Sequence, residues 1–301
     1  MTGPCPSGLQ GADLGVADVA AAANFFGGIW HLAKAAERNG SVYLRGTGPH
    51  HHVLGLHPRP RAELLRVNLA CASRGDVESL HRRVERAGPS AIEPPAEVSE
   101  PGGGYAFAFR DPHGRAVRVI ADAKRHLDAA PRPDRPIGIT HLVLNSPRPE
   151  EAAQFWVEAL GFRVSDRSLL TFIRCNADHH NIAFHPGSGD SLHHIAFEMP
   201  DLDSVMRGAG RMRQHGIALE WGLGRHGPGN NVFAYFIGPE GFIVEYTAEL
   251  ERVGEDHRPH EPSHWRYPAG RTDLWGVTPP PTERLKSAQE AIRFADGIFH
   301  A

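Results

Sequence analysis

His141, His194 and Glu245 carry the clearest chemistry in this sequence, each in a short β-like stretch: THLVLNS, LHHIAFEM and GFIVEYTAEL. Two imidazoles and one carboxylate on converging strands make a facial site for a divalent metal and leave coordination positions open. An open-sided non-haem Fe(II) site of this type suits oxygen chemistry, so Fe(II) is the expected metal and Mn2+ the alternative for a similar ligand set. Three further residues follow the same pattern of use. His180 in CNADHHNIAF, His226 in GLGRHGPGN and Tyr235 in NVFAYFIG offer a near-neutral acid/base, a second imidazole donor and a phenol. Beside an open metal face they meet the needs of a catechol, which must lose protons to chelate through both oxygens.

Strands have to position these groups. Side chains alternate across a strand, so His141, Val143 and Asn145 share one face, and His193 is expected to point away from His194. Alternation does not settle which of that pair faces a metal. Upstream, the same order of signals occurs twice. FRDPHGRAVRVIADA and FIGPEGFIVEYTAEL each read as two strands around a tight turn. Before them, LLRVNLACA and LHHIAFEMP each lead into an amphipathic helix, VESLHRRVERAG and LDSVMRGAGRMRQHG. Earlier still, VAAAANFFGGIWHL and RPEEAAQFWVEALGF are helical in pattern. The repeating unit is β-α-β-β-β, which makes the chain α+β and duplicated.

The proline-rich stretch DAAPRPDRP, near 128–136, is the expected boundary. It divides an N-terminal, non-catalytic domain (1–127) from a catalytic, metal-binding domain (137–250). Residues 251–301 form a Pro-rich strap and a short terminal helix, LKSAQEAIRFADGIF, with Trp265, Tyr267 and Trp275 docking the strap on a surface, at an oligomer contact if the chain assembles. Aligning the copies through the DPHG and GPEG turns sets Asp13 opposite His141, Val67 opposite His194 and Arg118 opposite Glu245, to within a residue. The first copy cannot rebuild the site, and duplication followed by loss of one site is the simplest account.

Composition narrows the rest. A formal net charge of -3 gives no broad electrostatic reason to bind nucleic acid. No apolar run approaches the ~20 residues of a membrane helix, so no membrane partner is expected. Three cysteines without CxxC spacing suggest neither a disulfide scaffold nor a thiolate zinc site, and the N-terminus lacks a secretory pattern, so a reducing cytoplasm is the expected location. The triplet His50, His51 and His52 reads as a solvated loop or strand edge. Arg225 and Arg271 are candidates to bind a substrate carboxylate.

The runs LHHIAFEMPDL and GRHGPGNNVFAYFIGPEGFIVEY, with the spacing of His180, His226, Tyr235 and Glu245, resemble the two-domain type I extradiol ring-cleaving dioxygenases of the vicinal oxygen chelate superfamily. The resemblance implies two tandem vicinal oxygen chelate domains, each from paired βαβββ modules that form an open barrel-like sheet. It implies that His141, His194 and Glu245 hold Fe(II), that His180 is the acid/base, and that His226 and Tyr235 hydrogen-bond the substrate oxygens. The implied partners are a small catecholic substrate and O2; the duplicated module with its strapping tail adds the expectation of a homo-oligomer. Two other readings keep the fold: a glyoxalase-like isomerase or thiol transferase, whose site would draw carboxylates from both modules, and a non-enzymatic aromatic-binding resistance protein, which needs no ligands.

Overall fold

The computed structural model describes residues 3–301. The βαβββ unit occurs four times. The first holds β1 (Gly8–Val16), α1 (Val19–Asn24), β2 (Ala33–Arg38), β3 (Ser41–Arg45) and β4 (Leu54–Pro58). The second holds β5 (Glu63–Ala70), α2 (Arg74–Ala87), the two-residue strands β6 (Ala91–Ile92) and β7 (Ala96–Glu97), then β8 (Tyr105–Arg110) and β9 (Ala116–Ala121). The third holds β10 (Gly138–Ser146), α3 (Pro149–Leu160), β11 (Arg163–Arg167), β12 (Thr171–Arg174) and β13 (Ile182–Pro186). The fourth holds β14 (Ser191–Glu198), α4 (Leu202–Gln214), β15 (Trp221–Arg225), β16 (Val232–Ile237) and β17 (Ile243–Ala248). Residues 128–136 carry neither helix nor strand.

Units pair within each half by the same scheme. β1 runs antiparallel to β5 as β10 does to β14, and β5 runs parallel to β9 as β14 does to β17. Local chemistry sets the helix ends. Ser73 and Asp201 accept hydrogen bonds from Asp76 N and Ser204 N as N-caps, Pro149 opens α3, and left-handed Gly88 and Gly161 close α2 and α3. The first helix is shorter than its pattern suggests: α1 ends at Asn24 and Phe25–Ile29 form a π-type turn through Gly27 and Gly28. That turn carries Trp30 across to the other half, where it stacks on Tyr246 with ring centroids 3.6 Å apart. One buried core therefore runs through both halves.

The end of the chain departs from expectation. The terminal helix α5 covers only Glu283–Ala288, and a last strand, β18 (Ile292–Phe294), follows it. β18 pairs antiparallel with β14 and parallel with β5, so it joins the two halves by backbone hydrogen bonds. The Pro-rich strap packs on its own chain: Tyr267 OH accepts from Gly227 N at 2.7 Å, and Leu274 N donates to Arg225 O at 2.8 Å.

Strand pairing corrects the alignment of the two copies. Gly11, Asn68 and Arg118 lie in adjacent register on β1, β5 and β9, as His141, Ala196 and Glu245 do on β10, β14 and β17. Asp13 pairs with Arg66 where Val143 pairs with His194. The counterparts of the three ligand candidates are thus Gly11, Arg66 and Arg118: Arg118 as expected, Arg66 one residue from Val67, and Gly11 two from Asp13. A Cβ on Gly11 would lie 2.2 Å from Val53 O, so no side chain fits there.

Charge fills this second position instead. Arg66 donates to Asp13 Oδ2 at 3.0 Å and to Glu100 Oε2 at 2.8 Å, Arg118 donates to Glu100 Oε2 at 2.6 Å, and His57 Nε2 donates to Asp13 Oδ1 at 2.9 Å. Phe299 closes the network, its carbonyl accepting from Arg66 at 2.9 Å and its ring lying under the guanidinium. The histidine triplet is no solvated loop at its third member: His52 is buried beside this network. Burial pushes His52 down to about 3, and Glu100 sits at about 2 because Arg118 and Arg66 outweigh the upward push of its own burial. Both groups are depressed in the folded state, so their stabilisation is complete above the unfolded values, 6.5 for His52 and 4.5 for Glu100, and is lost as pH falls through the folded ones. Thermal melts are expected to be flat above about pH 6.5 and to fall steadily towards pH 3. His52→Leu should make the decline between about pH 6.5 and 4 shallower; an unchanged slope would show that His52 is not buried as a neutral ring.

Candidate metal centre and cavity

β10, β14 and β17 are neighbours in the sheet, and they bring His141, His194 and Glu245 together. The nearest donor atoms of the three lie within 4.8 Å of one another. Glu245 Oε2 is 3.3 Å from His141 Nε2 and 3.1 Å from His194 Nε2. All three side chains are buried, yet His194 Nε2 and Glu245 Oε2 make no hydrogen bond. Buried polar atoms without partners are costly unless something else satisfies them. Three converging donors, two imidazoles and a carboxylate, fit a divalent metal, and these residues form a site for one.

A β-bulge makes the site possible. Val143 pairs with His194 and Leu144 with Leu192, so His193 has no opposite residue on β10. Strict alternation would send His193 and His194 to opposite faces; the extra residue cancels it, and both rings line the same cavity. The expectation that His193 points away is therefore wrong. Its Nδ1 lies 2.7 Å from His194 Nδ1 and steadies the ring that faces the metal position. A second bulge at Thr140 precedes His141. Asn231 supports the carboxylate, donating to Thr247 Oγ1 at 2.8 Å and to Glu245 Oε1 at 3.4 Å, which leaves Oε2 for the imidazoles.

The remaining candidates gather round the triad. His180 packs on His141 with ring centroids 4.3 Å apart, and Tyr235 lies edge-on to His194 at 5.0 Å. His226 Nε2 is 3.1 Å from Tyr235 OH, and its ring stacks on Phe233 at 3.9 Å. Burial sets the charge states. It pushes His226 down to about 4 and His180 well below the usual imidazole range, so both are neutral near pH 7. It holds the Tyr235 phenol well above its usual value, with the Glu245 carboxylate adding to the effect. On Glu245 burial acts upward, but His141 and His194 outweigh it and keep the carboxyl ionised.

These groups border a cavity of about 550 Å³, within the ~300–1,000 Å³ of small-molecule sites. Leu169, Leu170, Phe172 and Trp221 give it an apolar side, and the strap contributes Trp265 and Tyr267. Arg225 and Arg271, expected to meet a substrate carboxylate, do not line it; Arg225 pairs with Glu249 and lies over Trp275. Among the described residues the lining contains one cation, Lys286, which reaches Glu283 Oε1 at 2.7 Å. Sequence reasoning missed Lys286, Trp221 and His185, which carry no motif; Asn231 stood inside one, in GPGNNV, and could have been found there.

Residues 138–246 match the family described as the Glyoxalase/Bleomycin resistance protein/Dioxygenase superfamily. A solved structure, the Mn(II)-bound glyoxalase from Novosphingobium aromaticivorans, superposes with a TM-score of 0.88 at 34% identity, covering 99% of this chain and 98% of that one. Metapyrocatechase 2 of Cupriavidus necator is 29% identical over 234 residues, 70% of this chain and 69% of that protein. The manganese-dependent 2,3-dihydroxybiphenyl 1,2-dioxygenase of Geobacillus genomosp. 3 is 26% identical over 71% of this chain and 76% of its own length. The chain belongs to the glyoxalase/bleomycin resistance protein/dioxygenase superfamily. Within that superfamily the chain is similar both to a protein named as a dioxygenase and to one named as a glyoxalase. Among the described residues no helix is long and apolar enough to cross a membrane.

Proposed function

We propose that this chain opens a catecholic ring beside its vicinal hydroxyls, inserting both atoms of O2, with Fe(II) held by His141, His194 and Glu245. The observation that carries this reading is the convergence of unpartnered donor atoms with His180, His226 and Tyr235 at one wall of an apolar cavity. When bound, the metal supplies Lewis acidity to the two catechol oxygens and electron exchange with O2. The protein does the rest. Neutral His180 accepts a proton from a substrate hydroxyl and returns it during ring opening. The His226–Tyr235 pair hydrogen-bonds the substrate oxygens, and Phe172, Trp221 and Trp265 exclude water and hold the ring flat.

The apolar lining and the lack of an arginine favour a catechol with an apolar substituent over a catecholic acid. Assembly as a homo-oligomer in the cytoplasm belongs to the same proposal; Leu127, Leu169 and Val277 are large apolar side chains left exposed on one chain.

Anaerobically Fe(II)-loaded protein is expected to consume one O2 per catechol and give a yellow ring-opened product. Across a panel, alkyl or aryl catechols should exceed catecholic acids in kcat/KM. The glyoxalase name of the Novosphingobium protein points to an isomerase instead. Colourless turnover that needs no oxygen would establish that reading and overturn this one. Manganese suits a similar donor set, and the dihydroxybiphenyl dioxygenase is named as manganese-dependent. Metal analysis of protein purified without added metal distinguishes the two.

A further inference from the structure

His180 is the inner end of a chain of buried groups. Its Nδ1 lies 3.0 Å from Nδ1 of His179, and His179 Nε2 lies 2.7 Å from Asp166 Oδ2. Asp166 Oδ1 accepts from the backbone N of His260 at 2.7 Å and lies 3.1 Å from His260 Nδ1, so the carboxylate also meets the strap. Burial pushes the Asp166 carboxyl up, but His179 and His260 outweigh it and hold the group ionised.

Counting hydrogens gives the chain a direction. An ionised carboxylate only accepts, so His179 Nε2 carries a hydrogen and donates to Asp166. A neutral imidazole has one N–H, so His179 Nδ1 is then a lone pair. The Nδ1–Nδ1 contact is a hydrogen bond only if His180 Nδ1 donates. Nε2 of His180 is left as a lone pair, and His180 lines the cavity.

The N-terminal half supplies an internal control. Ala12 N donates to Val53 O as Leu142 N donates to Asn181 O, so His51 and His52 occupy the positions of His179 and His180. Their Nδ1 atoms are also 3.0 Å apart, and Tyr43 meets His52 edge-on at 5.0 Å as Phe172 meets His180. One thing is missing. Asp166 pairs with Phe172, whereas Ala36 pairs with Tyr43, so the half without the triad has no carboxylate behind its histidine pair. His51 stacks on His126 instead.

Asp166 could also be imagined as a second metal ligand, since its donor atom and those of His257 and His260 come within 4.8 Å of one another. Those atoms are already satisfied. His257 Nε2 donates to Ser165 O at 2.9 Å, and both Asp166 oxygens accept hydrogen bonds, unlike the unpartnered atoms of the triad.

We propose that Asp166 and His179 are positioning residues that hold His180 in its Nδ1–H tautomer and so present a basic Nε2 to the substrate hydroxyl. The use of that base rests on the dioxygenase reading; the tautomer does not. Metal-free protein labelled with 15N-histidine is expected to show His180 protonated at Nδ1 and bare at Nε2, and His179 neutral with its hydrogen on Nε2, the His180 signals being assigned by their loss in His180→Gln. A His180 Nε2–H tautomer, or a doubly protonated His179, would overturn the proposal without any variant. Asp166→Asn should mix the His180 tautomers. In the metal-loaded enzyme it should lower kcat about 10- to 100-fold, leaving metal content and KM within about twofold, and Asp166→Glu should recover part of the loss. His51→Gln, in the half that lacks the carboxylate, should leave kcat unchanged. Undiminished kcat in Asp166→Asn would overturn the positioning role, whereas a wild-type enzyme that cleaves no catechol would sink the functional reading and leave the tautomer result standing.

Discussion

Glu245→Gln is expected to abolish metal binding and ring cleavage together while leaving the metal-free protein folded. The carboxylate is fully buried, its Oε2 has no hydrogen bond, and the imidazoles of His141 and His194 lie 3.3 and 3.1 Å from that oxygen. Removing its charge takes away the one anionic donor of the set, and neutral amides are poor ligands for these ions. Removing it from the metal-free protein also relieves a buried charge, which is expensive when imperfectly paired. The two effects separate in a thermal melt. A metal at ~1,000 times its dissociation constant stabilises the folded state by about 4 kcal/mol, which for a chain of this size corresponds to a rise in Tm on the order of 10 °C. Wild type should show that rise with Fe(II) or Mn(II), and Glu245→Gln should show none while melting at or above the temperature of metal-free wild type. Iron retained at wild-type stoichiometry would mean that Glu245 is not a ligand.

The opposite pattern is expected at Arg66. It is the hub of the network in the N-terminal half, bonded to Asp13, Glu100 and the carbonyl of Phe299. Arg66→Met leaves two buried carboxylates facing one remaining guanidinium, Arg118. Breaking a buried pair by removing one partner costs about 3–5 kcal/mol, because the survivor stays buried and uncompensated. Tm should fall on the order of 10 °C, with metal content per folded chain unchanged. The loss should also loosen β18, since Phe299 and Ala295 at the chain end are anchored through this half. A loss below about 1 kcal/mol would show that water reaches the network and screens it. The pair of variants thus assigns function to one half and stability to the other.

Much of this was legible before any coordinates. The βαβββ order and the paired turns follow from strand and helix periodicity, and the six candidate residues from residue chemistry, with the family resemblance choosing His194 over His193; the structure brings five of them to one cavity and sets Glu245 against His141 and His194 at its edge. What escaped did so for physical reasons. Counting from the hairpin turn places Arg118 correctly, because the hairpins match in length; the first half then carries one extra residue between Arg66 and Arg118 and two more between Gly11 and Arg66, which puts the alignment off at both. Alternation fails at His193, where a bulge adds a residue that no periodicity announces. The helical pattern after Val19 breaks in the Gly27–Gly28 turn, and β18 is too short to show a period. Asp166 lies on β11, 14 residues before His180 in the loop between β12 and β13, and a carboxylate in SDRS looks like any solvated one.

The bulges also date the parts of the molecule. Leu65 is skipped between Asp13–Arg66 and Leu14–Leu64 just as His193 is skipped between Val143–His194 and Leu144–Leu192, and Gln10 is skipped as Thr140 is. Independent origin of two irregularities at two matching places is the less economical history, so the ancestral single domain already had both. The backbone came first: the kinks that aim the triad were inherited by both descendants, and only the side chains hung on them diverged, into ligands on one side and a glycine and two arginines on the other.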